Sequence, residues 1–203
     1  MGRRQDILDT ATRLFSQKGF AETSTAEIAD QAGVAHGTLF YHFKNKRGII
    51  HEIFAIAGEN YLRRLKKDIA SESTGIKKIE TIIRFNDDYS WQNSQQVRIF
   101  QRFFPDLAEQ PDPVHDLIAA IQQQVIALIT QSLETGVADG TVFCRKIDET
   151  ARIVNSLIFG ITHMHLMAPA YCPNLTREAV EFCRNALSTK HPIESDKNQR
   201  NAK

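Results

Sequence analysis

Residues 35–46 read AHGTLFYHFKNK, with three aromatic rings, two histidines, a glycine and two lysines in twelve positions. A core helix does not carry that many cations, and a solvated loop does not carry that many rings. A surface that uses both is a DNA groove flanked by phosphates. There Thr38 offers a hydroxyl or a methyl to a base edge, and Tyr41, His42 and Lys46 donate to phosphate oxygens. Gly37, lacking a side chain, lets the start of the segment approach the groove closely.

Other segments carry candidate chemistry of a different kind. Phe85, Tyr89, Trp91, Phe100, Phe103 and Phe104 are the densest aromatic stretch outside that segment, with Asn86, Asp87 and Gln101 interleaved. Rings with a few placed polar groups suit a small-molecule site, and they also suit an ordinary core. Taken with Asp87 and Asp88 they fit a cationic lipophile; taken alone they fit an acyl chain. In HMHLM, His163 and His165 lie two apart, so on a helix they splay by about 200° and cannot readily share one ion. The three cysteines, Cys144, Cys172 and Cys183, form no CxxC pair and read as free thiols in a reducing cytoplasm. No GxSxG, HExxH or phosphate-binding glycine loop occurs, so the reading contains no enzyme, no cofactor and no metal.

Helices must position these residues. Ile7, Leu8, Ala11, Leu14 and Phe15 repeat at helical spacing and stop at Lys18-Gly19. Ser24 and Glu27 have capping-box spacing before a short helix that ends at Gly33. A third short helix fits 36–43, with Leu39 and Phe43 inward and Phe40 at the edge. The turn Gly33-Val34-Ala35 between the second and third has helix-turn-helix spacing, which lays the later helix in a major groove. The helix N-termini at Ser24 and Lys46 add backbone N–H groups suited to phosphates.

Longer helices follow over 46–70, 75–91 and 94–105, then one opened by PDPVHDL (111–117) and ending near Gly136, then 148–167 and 176–187, and no run alternates as a strand would. The fold class expected is all-α, about nine helices. An N-terminal three-helix helix-turn-helix DNA-binding domain, 1–47, precedes a larger helical ligand-binding and dimerisation domain, 48–189, and a disordered polar tail, 190–203. Val154, Leu157, Ile158 and Ile161 on one late helix, and Ala179, Val180, Cys183 and Leu187 on the last, are the candidate dimer interface. Two copies would then form a four-helix bundle across a two-fold axis.

The net charge of +1 excludes a polycationic nucleoid-type protein, so any DNA surface must come from placement. Residues 1–47 hold seven Lys and Arg against five Asp and Glu. No segment approaches the run of about 18 apolar residues needed to span a bilayer. The N-terminus carries Asp6 and Asp9 where a signal peptide would be apolar. A cytoplasmic protein without membrane partners is expected.

The stretch TSTAEIADQAGVAHGTLFYHFKNKRGII closely resembles the DNA-binding region of the TetR family of bacterial repressors, over about residues 4–50. The resemblance implies a homodimer that binds a palindromic double-stranded operator and releases it when a small hydrophobic effector, of unknown identity, enters the larger domain. An activator or a ligand-independent DNA-binding protein on the same fold is the alternative. Carried over by position, the resemblance puts Thr25 on a phosphate and faces His36, Gly37, Thr38 and Phe40 toward bases. It leaves Tyr41, His42 and Lys46 to clamp the backbone. Ala35 stands where the family often has a capping residue such as serine, at a cost of roughly 1 kcal/mol of helix stability. Phe40 replaces a common tyrosine, which leaves only stacking or contact with a thymine methyl.

Overall fold

The computed structural model describes residues 2–103, 113–168, 170 and 173–188. Among these lie nine helices and no strand: α1 (Arg3–Lys18), α2 (Thr25–Gln31), α3 (His36–Phe43), α4 (Lys46–Ala70), α5 (Gly75–Gln92), α6 (Ser94–Phe103), α7 (Pro113–Asp139), α8 (Ile147–Met167) and α9 (Leu175–Ser188). The all-α expectation holds, with each helix within a few residues of its sequence-based range. Phe104, Cys172 and the polar tail lie outside the described residues.

Local chemistry sets the boundaries of the short helices. The Ser24 side chain accepts from the Glu27 N–H at 3.1 Å, as the capping-box spacing requires. Gly33 takes φ 65°, a left-handed conformation that glycine adopts without strain, and turns the chain toward α3. Ala35 caps α3 with its backbone only. Lys44 ends α3 at φ 60°, unusual for a side chain with a Cβ, and the Asn45 side chain caps α4 by accepting from the Gly48 N–H at 2.8 Å. Gly48 lies so close to the Phe43 carbonyl that a Cβ there would overlap it. The corner between α3 and α4 is therefore tight.

Two apolar cores result. The first gathers Ile7, Leu8, Phe15, Ile28, Leu39 and Phe43 from α1–α3, together with Ile49, Ile50, Ile53 and Phe54 of α4. It also takes Ile99 and Phe103 of α6 and Val114 and Ile118 of α7. The three short helices alone thus do not close this core, as expected for so short a chain. The second core joins α4, α5, α7, α8 and α9 through residues such as Leu65, Ile79, Ile82, Ile129, Leu133 and Val154. Helices α5 and α7 cross where Gly75 meets Gly136, and a Cβ on Gly75 would collide with the Gly136 backbone.

The candidate dimer residues need correction. Val154, Ile158, Ile161, Ala179, Val180, Cys183 and Leu187 are buried within the single chain, and Leu157 packs against the same core. They fasten α8 and α9 to α5 and α7, because the most regular apolar stripe of each helix is the one its own chain covers. The apolar side chains left on the outside are Ile153 and Phe182, each 65% exposed, with Met164 and Met167.

Candidate nucleic-acid interface and ligand cavity

Helix α3 buries Leu39 and Phe43 and turns its other side outward. Each buried side chain of this size contributes about 1.5–3 kcal/mol, so the helix cannot easily roll. The outward face presents His36, Gly37, Phe40 and Tyr41, with Thr38 and His42 half-buried at its edges. Tyr41 is 84% exposed, the most exposed large aromatic among the described residues. The His36 and Phe40 rings meet edge to face at 4.7 Å, so Phe40 is held in part by its neighbour. Thr25 Oγ1 lies 3.3 Å from His36 Nε2, which links the start of α2 to the start of α3. Lys18 pairs with Glu27 and Arg13 donates to Gln31, which fixes α2 on α1.

Lys46 departs from the expectation of a phosphate clamp. Its ammonium donates to the carbonyl oxygens of Phe20, Ala21 and Thr23 at 2.8, 3.2 and 2.8 Å, which uses all its donors. It also sits over the Phe20 ring. Burial pulls its pKa below the ordinary value, and the nearby Glu22 charge opposes that shift. Lys46 closes the loop between α1 and α2 because that loop turns its carbonyls toward the start of α4.

The aromatic stretch divides between several environments. A cavity of about 160 Å³ lies among α4, α5, α6, α7 and α8. Tyr89 and Phe100 line it, as expected. Phe85 does not; it packs behind the wall against Tyr61 and Tyr89. Phe103 belongs to the first core, against Phe20 and Phe54. Trp91 is 54% exposed and faces His165 at 6.1 Å. Asp87 and Asp88 line a separate polar recess, where Asp87 bonds His165 Nδ1 at 2.6 Å, so they offer nothing to a cation in the cavity. His163 is exposed while His165 is buried, so the pair does diverge. Burial raises the Cys183 thiol pKa, and Cys144 donates to Thr150.

The rest of the cavity wall was not legible as a run. It comes from Phe54, Gly58 and Tyr61 of α4, Asn86 and Ser90 of α5, and Gln96, Val97 and Gln101 of α6. Helix α7 adds Ile118, Ile121, Gln122 and Val125, and α8 adds Asn155, Ile158, Phe159 and Thr162. Each of the five helices gives three or four side chains at helical spacing, so no continuous motif forms. The one available signal was a glutamine or asparagine recurring among apolar positions. Most of these polar groups are satisfied within the chain. Tyr61 donates to Asn86 at 2.7 Å, Asn86 donates to the Ile82 carbonyl at 2.8 Å, and Tyr89 donates to the Ala57 carbonyl at 3.1 Å. Burial raises the pKa of both tyrosines, which keeps them protonated donors.

Helix α6 connects the two regions. Gln101 lines the cavity, while the next residue, Arg102, donates to the Ser16 and Gln17 carbonyls at the end of α1 at 3.1 and 3.0 Å. Phe103 then anchors in the core beneath the helix-turn-helix.

Among the described residues, the all-helical fold, the helix-turn-helix with its exposed α3 face and the cavity behind it have the arrangement of a helix-turn-helix DNA-binding protein. Residues 7–53 match the family model described as bacterial regulatory proteins, tetR family. Over residues 7–53 the chain thus carries the DNA-binding region of that family. It is 49% identical over 57 residues to the HTH-type transcriptional regulator AcrR of Shigella flexneri, covering 28% of this chain and 26% of that one. It is 32% identical over 77 residues to a fatty acid metabolism regulator of Bacillus subtilis, covering 38% and 40%. The chain thus spans about a quarter to two fifths of the length of these curated relatives. The fold is similar over most of its length to the Bacillus subtilis regulator FadR solved with stearoyl-CoA. That likeness has a TM-score of 0.78 at 19% identity and covers 90% of this chain and 98% of the other. Among the described residues, no helix is long and apolar enough to cross a membrane.

Proposed function

We propose that this chain is a cytoplasmic, dimeric transcriptional repressor that reads a palindromic operator through α3 and lets it go when a small apolar effector fills the cavity. Residues 1–47 are the DNA-binding unit and 48–189 the effector-binding and dimerising one. Thr38 and Phe40 read base edges, with His36 and Gly37 at the groove floor. Tyr41, His42 and Thr25 meet phosphates, along with the N–H groups at the starts of α2 and α4. Two copies join through the outer faces of α8 and α9, where Ile153, Gly160, Met164 and Met167 form a stripe on α8 and Phe182 stands outward on α9. A stripe of this kind on paired helices suits a two-fold four-helix contact.

The observation that carries the reading is the placement of α6, with Gln101 at the cavity and Arg102 on α1. An effector that shifts α6 shifts α1, and with it the separation of the two α3 helices. Half-sites lie about 34 Å or a multiple apart, so a shift of several ångströms weakens binding.

Replacement of Thr38 and Tyr41 by alanine, one at a time, tests the DNA assignment. Each variant should bind duplex DNA at least tenfold more weakly, with an unchanged melting temperature. Wild-type affinity in both would remove α3 from the interface.

A further inference from the structure

The cavity carries chemistry that its apolar character alone does not describe. Among the described residues, no Asp, Glu, Lys, Arg or His lines it. A charged ligand would therefore lose its hydration with no counter-charge to replace it. Most of its polar side chains already have partners inside the chain.

Gln101 does not. It is 9% exposed, and both its Nε2 and Oε1 lack any hydrogen-bond partner. A buried amide left this way on both atoms is a standing cost, and Gln101 is among the residues that line the apolar cavity. A group that satisfies both atoms must present an acceptor beside a donor.

Resting on the effector site proposed above, we infer that the effector is an uncharged, largely apolar molecule bearing a carboxamide- or lactam-type group, which pairs with the side-chain amide of Gln101. The matching group offers a carbonyl oxygen to Nε2 and an N–H to Oε1, in the cyclic arrangement amides form with one another. Phe54, Tyr89, Phe100 and Phe159 surround the apolar body. The cavity volume is close to the ~150 Å³ that accommodates a benzene-sized guest. An acidic or quaternary ammonium compound fits poorly, because the wall supplies no charge of either sign.

Four compounds of nearly equal shape test this on the full chain: benzamide, benzoate, benzamidinium and isopropylbenzene. Binding is read by calorimetry and by the shift in melting temperature, without DNA. Benzamide should bind most tightly, isopropylbenzene more weakly, and the two ions not detectably. Gln101→Leu should weaken benzamide at least tenfold and improve isopropylbenzene. Gln101→Met serves as a second apolar replacement should the leucine variant not fold. Tighter binding of benzoate or benzamidinium than benzamide, or unchanged benzamide affinity in the folded variant, would overturn the inference. A chain that binds benzamide as described but no operator DNA would refute the repressor reading and leave the Gln101 assignment standing.

Discussion

Lys46 Nζ lies 4.4 Å from the centroid of the Phe20 ring and donates to the carbonyl of the same residue at 2.8 Å. Charge-assisted bonds contribute roughly 1.5–3 kcal/mol each before desolvation is subtracted. Lys46→Met should therefore destabilise the protein by about 1–3 kcal/mol in thermal or denaturant unfolding. Its DNA affinity, measured where the variant is folded, should keep the wild-type dependence on salt. Loss of a lysine that neutralised a phosphate would instead reduce the magnitude of the slope of log affinity against log salt by about 0.9.

This lysine shows where sequence reasoning ends. Its type and its place beside a recognition helix are those of a phosphate contact, and only the path of residues 20–23 reveals carbonyls closer at hand. The helix-turn-helix itself was legible, because Ser24, Gly33, Leu39 and Phe43 are fixed by contacts within a few residues of one another. The outer apolar face of α8 and the cavity were not. Ile153 and Val154 are neighbours of similar hydropathy, and which one faces out depends on α7 and α5. The polar Gln101 was visible among rings, but its lack of partners is a property of five helices together.

Gly37 separates stability from recognition. A Cβ built there meets nothing within 4 Å. Replacing a helical glycine by alanine gains about 0.5–1 kcal/mol, so Gly37→Ala should melt slightly higher. The added methyl stands on the proposed groove face, and operator affinity should fall. Higher melting with undiminished affinity would place the groove elsewhere.

The outer faces of α8 and α9 make an oligomerisation prediction. Ile153→Asp and Phe182→Asp put carboxylates on side chains that are each 65% exposed in the single chain. Both should fold normally and run as monomers in light scattering at micromolar concentration, and wild type should run as a dimer. Variants that remain dimeric would move the interface away from this face.

Acid stability should depend on Asp139. Its carboxylate accepts from the Thr141 hydroxyl and from the N–H groups of Gly75 and Thr141, joining the end of α7 to the start of α5. The Thr141 hydroxyl first, and then the Gly75 N–H, hold its pKa below the usual 3.8. A carboxylate depressed in the folded state adds stability above the unfolded pKa and loses it as pH falls through the folded one. Melting temperature should therefore drop on acidification below about pH 4. Asp139→Asn should flatten that drop; an unchanged acid slope would assign it to other carboxylates.

Selection of bound sequences from a random duplex library, by the full chain at two salt concentrations, tests the central claim most directly. A repressor of this kind should select a palindrome with half-sites about 34 Å or a multiple apart, retained at the higher salt. Binding with no sequence preference that vanishes with salt would mean phosphate attraction alone, and would contradict that claim.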